Sequence, residues 1–210
     1  MLSNSVQVAR EIAVAKPEEA LRNEEPVNAV THGAGGVLAA GGVLVMAFAC
    51  AETQLVNSVA SMTFVVLLTL TYAASAISHA VSEPDRKRRM RAWDQGVIYL
   101  LIVGTYTPFL CKYVPTPMLV TVLGLLWAAA LTGCISKVVF FHRVGEDFSP
   151  WTYVALGWIP ALMLCYYVPW ECLQWIALGG VVYSIGVVFL TFDKQVPYFH
   201  TVWHLSVIAA

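Results

Sequence analysis

The sequence predicts an all-α integral membrane protein: a bundle of seven transmembrane helices with a cytoplasmic N-terminus and an apparently short last helix. Three observations carry this. Hydrophobic residues make up 59% of the 210 residues and charged residues only 12%, against roughly 45–50% and about 25% in a soluble domain. The apolar residues gather in seven segments divided by short polar or proline-rich joints. Lys and Arg fall almost wholly on one side of those segments. A soluble globule of this length cannot bury so much apolar surface. Disordered chains are polar and charge-rich, so disorder is excluded. A net charge of −1 leaves no basic footprint for nucleic acid.

A hydrocarbon core about 30 Å thick needs around 20 mostly apolar residues per spanning helix. Residues 1–26 hold Glu11, Glu18, Glu19, Glu24 and Glu25 and read as a mobile or surface-lying cytoplasmic tail. Residues 27–210 form the transmembrane domain. Its spans are Val27–Cys50, Val56–Val81, Trp93–Val114, Met118–Phe141, Trp151–Val168, Cys172–Phe192 and Pro197–Ala210. Glu52-Thr53-Gln54, Pro115-Thr116-Pro117 and Asp193-Lys194-Gln195 are typical joints. Alternation at period 2 is absent, which excludes a membrane β-barrel. No basic n-region and apolar h-region opens the chain, so no cleaved signal peptide is expected. The last span is fourteen residues, roughly 21 Å at 1.5 Å per residue. It is expected either to stop inside the membrane or to be truncated.

Orientation follows from Lys and Arg. With the N-terminus inside, Arg10, Lys16, Arg22, Arg86, Lys87, Arg88, Arg89, Arg91, Lys137, Arg143 and Lys194 are cytoplasmic, and Lys112 alone is outside. The run Asp85–Arg91 reads as a topology anchor, and a contact with anionic lipid is compatible with that. A plasma or inner membrane location follows. Trp93, Trp151 and Trp170 fall at the expected interfaces. Glycines in the first span and at Gly179, Gly180 and Gly186 read as close helix packing. The five cysteines have no C-x-x-C spacing and read as small apolar packing residues. A Cys111–Cys165 or Cys111–Cys172 bridge on the outer face is left open.

Ionisable residues inside a membrane are functional candidates. Counting spans brings Ser75 and His79, Asp94, and His200 and His204 to one depth near the cytoplasmic face. His200 and His204 stand at i and i+4 on one helix face, which suits two ligands of one zinc ion. His79 would complete a three-histidine set, leaving the fourth position of a catalytic zinc for water. Asp94 is the carboxylate available to orient that water or take its proton. The competing reading is a proton relay of Asp and His. His32 is read as capping or packing, or as a distant member of the cluster. His142 is read as a solvated loop residue.

These residues also resemble a known family. Asn28-Ala-Val-Thr-His32-Gly33, Ser75-x-x-x-His79, Asp94 with Ile98–Phe109, Gly179–Gly186 and Pro197–His204 are similar, in order, to the hemolysin III family. That family is the bacterial branch of the progestin and adipoQ receptors. The resemblance covers about residues 24–210. It implies seven helices with the N-terminus inside. It implies zinc held by His79, His200 and His204, with Asp94 and Ser75 at the zinc water or supporting a ligand. Relatives of this type are proposed to hydrolyse ceramide-like amides, and bacterial members are linked to membrane-lipid homeostasis and carry a cytolysin label. Members often have His after the span-three Asp, where this chain has Gln95. The expected activity is a zinc-dependent lipid amide hydrolase with membrane lipids as partners. A non-catalytic zinc-containing sensor is the alternative, ahead of a pore-forming cytolysin. Oligomeric state is not legible.

Overall fold

The computed structural model describes residues 18–140 and 150–210, with side chains from residue 23 onward. Residues 1–17 of the expected tail, and His142 and Arg143, lie outside the described residues. Seven helices and no strand are found among those described: α1 Glu18–Ala49, α2 Leu55–Ala80, α3 Pro84–Tyr113, α4 Thr116–Val139, α5 Trp151–Leu164, α6 Trp170–Thr191 and α7 Phe199–Ala209. Helices α1, α2, α3, α4 and α6 are long and apolar enough to cross a bilayer. The chain is a helical membrane protein.

Proline and capping residues set most of the boundaries. Glu83 caps α3, accepting from the backbone N–H of Asp85 at 3.1 Å and Arg86 at 2.8 Å. Pro84 occupies the first turn, where no N–H is needed. The basic run Arg86–Arg91 is therefore helical, and α3 starts nine residues before the expected Trp93. Helix α1 likewise starts at Glu18, so residues 18–26 continue the first span as helix. Helix α5 ends at Leu164, short of the expected Val168. Residues 165–168 turn ahead of Pro169, as a residue before proline disfavours helix.

The order of packing makes a ring. Neighbouring pairs are α1 with α2, α2 with α3, α3 with α5, α5 with α6, α6 with α7, and α7 with α1. Helix α4 packs outside this ring, on α3. Close approach depends on glycine at two of these seams. A Cβ at Gly186 of α6 would stand 2.6 Å from Ser206 Cβ of α7, and one at Gly133 of α4 would stand 2.7 Å from the Tyr99 ring of α3. Gly33 and Gly41, expected to pack closely, have open space around them.

A buried apolar cluster joins α3, α4 and α5 through Val103, Leu110, Ala130, Tyr153 and Leu164. Outward faces carry large apolar side chains in the open, Val37, Leu38 and Phe48 of α1 among them. Such a surface is stable only with lipid as its solvent. All five cysteines are free thiols, so neither considered bridge is present.

Candidate metal centre

Helix α1 holds the start of α7 in register with a polar stripe. Glu24, Asn28 and Thr31 recur at the i, i+4, i+7 spacing of one helix face. They meet Tyr198, Thr201 and His204 in the same order. Tyr198 N–H donates to Glu24 Oε1 at 2.9 Å, Thr201 Oγ1 donates to Asn28 Oδ1 at 2.6 Å, and Thr31 Oγ1 lies 3.3 Å from His204 Nδ1. Tyr198 begins α7 with φ 62°, the one positive φ outside glycine among the described residues. The three contacts run from the strained cap inward and set the rotation of α7 that His200 and His204 need.

His79, His200 and His204 come together from α2 and α7. One ring nitrogen from each lies within 4.8 Å of the others. The rings meet edge to face, at centroid distances of 4.7–5.0 Å. The Nδ1 atoms are all occupied. His79 Nδ1 lies 2.8 Å from Glu25 Oε2, and His200 Nδ1 lies 2.6 Å from Asp193 Oδ2. A carboxylate only accepts, so both imidazoles donate through Nδ1–H. Thr31 Oγ1 is also 3.0 Å from the carbonyls of Val27 and Asn28 and spends its proton there. Its lone pair is left to accept from His204 Nδ1–H. Three Nε2 lone pairs remain, and His79 Nε2 is buried without any partner.

Three converging lone pairs with no proton between them fit a cation. Metal-bound histidines characteristically donate their other N–H to a carboxylate or hydroxyl oxygen, which orients the ring. Each of the three does so here. The trio can therefore hold a metal ion, and imidazole donors suit zinc, copper, iron and nickel alike.

Asp94 and Ser75 line the same cavity as the three histidines. Ser78 Oγ reaches Asp94 Oδ2 at 3.1 Å and the Ser75 carbonyl at 2.9 Å. Ser75 Oγ is buried and without a partner. Sequence reasoning named His79, His200, His204, Asp94 and Ser75 but missed Glu25, Asp193, Ser78 and Thr31. The signal for Glu25 was its place at the head of the polar stripe that ends in Thr31 and His32. For Asp193 it was a carboxylate in the joint just before the histidine helix. His32 is not in the trio. It stacks on His204 at 3.6 Å with rings 13° from parallel. Gln95, in the position where His was expected, accepts from Lys137 Nζ at 2.9 Å.

The cavity has a volume of about 1580 Å³. Along α3 it is lined from Arg88 to Phe109, a rise of roughly 31 Å, close to the thickness of a hydrocarbon core. Its histidine end is polar. Its far end, at Phe109, Trp175 and Ile176, is apolar.

Residues 21–210 match the family described as haemolysin-III related. The chain is 32% identical over 189 residues to Hemolysin-3 of Bacillus cereus, covering 88% of this chain and 85% of that protein. It is 31% identical over 189 residues to the Hemolysin-3 homolog of Bacillus subtilis, with 88% of each covered. The human monocyte to macrophage differentiation factor is 32% identical over 117 residues, 56% of this chain and 49% of that protein.

Proposed function

The chain belongs to the haemolysin-III-related family, and on that premise we propose that it is a zinc-dependent hydrolase of lipid amides within the membrane. One observation carries the reading. Three braced histidines with free Nε2 atoms open, beside the half-buried Asp94 carboxylate, into a long cavity whose far end is apolar. When bound, zinc supplies Lewis acidity that polarises a carbonyl and lowers the pKa of water.

The chain's own residues supply the rest. His79, His200 and His204 hold the metal. Asp94 accepts a proton as water adds to the amide carbonyl. It returns that proton to the nitrogen as the C–N bond breaks, yielding a fatty acid and an amine. Ser78 Oγ, on Asp94 Oδ2, aims that carboxylate. Ser75 Oγ bonds the water or the carbonyl. The apolar walls take the acyl chain and exclude bulk water. The charge asymmetry supports an N-terminus in the cytoplasm, with the histidine end in the inner leaflet. Labelling a cysteine at Lys112 only from outside intact cells, in a Cys165→Ser background, is the expected result; labelling only after lysis reverses the topology.

The test is zinc content followed by fatty acid release from ceramide-like amides. About one zinc per chain is expected, falling towards zero in His200→Ala. Asp94→Asn should keep the metal and lose about 10²–10⁴-fold in rate. Release unaffected by Asp94→Asn defeats the assignment of the base. A second reading, a zinc-stapled sensor without turnover, draws on the way the trio ties α2 to α7. Zinc at one per chain with no hydrolysis selects it. Dye leakage from liposomes tests lysis, which the name of the Bacillus cereus relative suggests.

A further inference from the structure

Among the described residues, five buried side-chain polar atoms lack a hydrogen-bond partner: both His32 ring nitrogens, Ser75 Oγ, His79 Nε2 and Tyr183 Oη. All four residues line the same cavity. Buried polar groups are nearly always bonded, and an orphan calls for an explanation. His79 Nε2 faces the metal position. Ser75 lies one turn from it on α2, and His32 stacks on His204. Tyr183 stands apart, on α6.

Its ring is held in place. It packs edge-on against Trp203, with centroids 5.0 Å apart and planes at 72°, and Trp203 precedes the ligand His204. The neighbouring Ser184 hydroxyl accepts from Trp158 Nε1 at 3.0 Å and donates to the Gly180 carbonyl at 2.7 Å. Tyr183 Oη makes no hydrogen bond to either residue. The α6 wall of the cavity runs from Trp175 to Thr191. Tyr183 lies one turn from Gly186, which meets Trp203 and Ser206 on either side of His204, so it stands about one turn from the level of the histidines. A lipid with its polar end at the histidines and its tail towards Trp175 must pass this hydroxyl early in the chain. Tyr183 packs against the cluster that holds Ile102, Val103, Tyr99 and Tyr153, and the hydroxyls of those two tyrosines are bonded elsewhere, to Thr152 Oγ1 and the Gln95 carbonyl.

We propose that Tyr183 recognises a hydroxyl borne by the acyl chain a few carbons from its carbonyl, so that the cavity selects hydroxylated acyl chains over plain ones. The proposal rests on the hydrolase reading only in taking the histidine end as the polar end of the lipid. A plain chain leaves the buried phenol unbonded. A chain with a hydroxyl at that depth completes it, and the phenol both donates and accepts.

The test uses the full-length, zinc-loaded protein in nanodiscs and measures binding, not turnover. β-Hydroxymyristate and myristate compete against a fluorescent fatty acid. Both present the same carboxylate to the metal, so their difference isolates the hydroxyl. Wild type should favour β-hydroxymyristate by about tenfold, the worth of one hydrogen bond. Tyr183→Phe, which keeps the ring on Trp203, should bring the two to equal affinity while leaving myristate unchanged. Equal affinities in wild type, no displacement by either acid, or a preference that survives Tyr183→Phe overturns the proposal. If the preference holds while no amide is hydrolysed, the hydrolase reading fails and this one stands. If amides are hydrolysed with no preference, the reverse follows.

Discussion

Glu25 joins His79 of the candidate metal trio to the basic run at the start of α3. Its Oε2 lies 2.8 Å from His79 Nδ1, while its Oε1 lies 2.8 Å from Lys87 Nζ and 3.0 Å from Arg91 Nη2. One carboxylate, half-buried near the start of α1, thus ties α1, α2 and α3 together. Lys87 and Arg91 do more than mark topology. They neutralise the charge that orients His79.

Removing this brace should cost metal affinity more than fold. Glu25→Ala frees the His79 ring to rotate and to change tautomer. Loss of an outer partner of this kind typically weakens metal binding about 10–100-fold. Zinc titration against a chelator of known affinity reads the change. Affinity within twofold of wild type would show that His79 needs no carboxylate.

Asp193 does the same for His200 from the joint before α7. Asp193→Ala should weaken zinc by a similar factor, about 10–100-fold. Because the two braces act on different histidines of one ion, the double variant should not be additive. The same chelator titration on Glu25→Ala, Asp193→Ala and the pair decides this. Simple additivity would mean that the two histidines do not share a metal.

Two glycine substitutions should differ sharply. At Gly186 a methyl group meets Ser206 Cβ at 2.6 Å and the Trp203 ring at 3.0 Å, both close to the α7 backbone. Gly186→Ala should push α7 off α6, costing about 1–3 kcal/mol and lowering zinc occupancy. At Gly104 the methyl group meets mainly Leu67 Cδ1, the end of a flexible side chain, at 2.7 Å. Gly104→Ala should be milder and leave zinc in place. Thermal melting with metal analysis separates them, and equal losses would contradict the seam at Gly186.

Tyr198 carries backbone strain at φ 62° to start α7. A bulky residue in the left-handed region costs on the order of 1 kcal/mol or more, and glycine adopts it freely. Tyr198→Gly should therefore keep or raise the melting temperature, with the Glu24 contact intact because it uses the backbone N–H. A clear drop would mean that the tyrosine ring contributes more than its backbone costs.

The reading of the sequence located the spans well and their ends poorly. Hydropathy sees a helix only where it meets lipid. The polar first turns of α1 and α3, where Glu24, Glu25, Lys87 and Arg91 sit, carry no apolar signal and yet are helical. The ligands His200 and His204 were legible because i, i+4 spacing is a local property. His79 and Asp94 were legible only through topology, since alternating spans bring α2's end and α3's start to one depth. The carboxylate behind His79 was not legible, because Glu25 stands 54 residues from its partner. No local pattern encodes such a pairing.

Composition alone determined the solvent, for 59% apolar residues have nowhere to go but lipid, and spacing with span counting, joined by the family resemblance, named the candidate histidines. Tertiary structure decided what those ligands face. Rotation of a helix about its axis is invisible to span counting, and it is set here by the Glu24, Asn28 and Thr31 stripe against α7. That rotation turns three Nδ1–H groups onto oxygen and three Nε2 lone pairs onto one another. The packing of α6 on α7 also leaves the Tyr183 hydroxyl buried without a partner. Side-chain direction in a bundle follows from packing between distant segments, which is why the polar atoms that define the site became assignable only once the helices were placed.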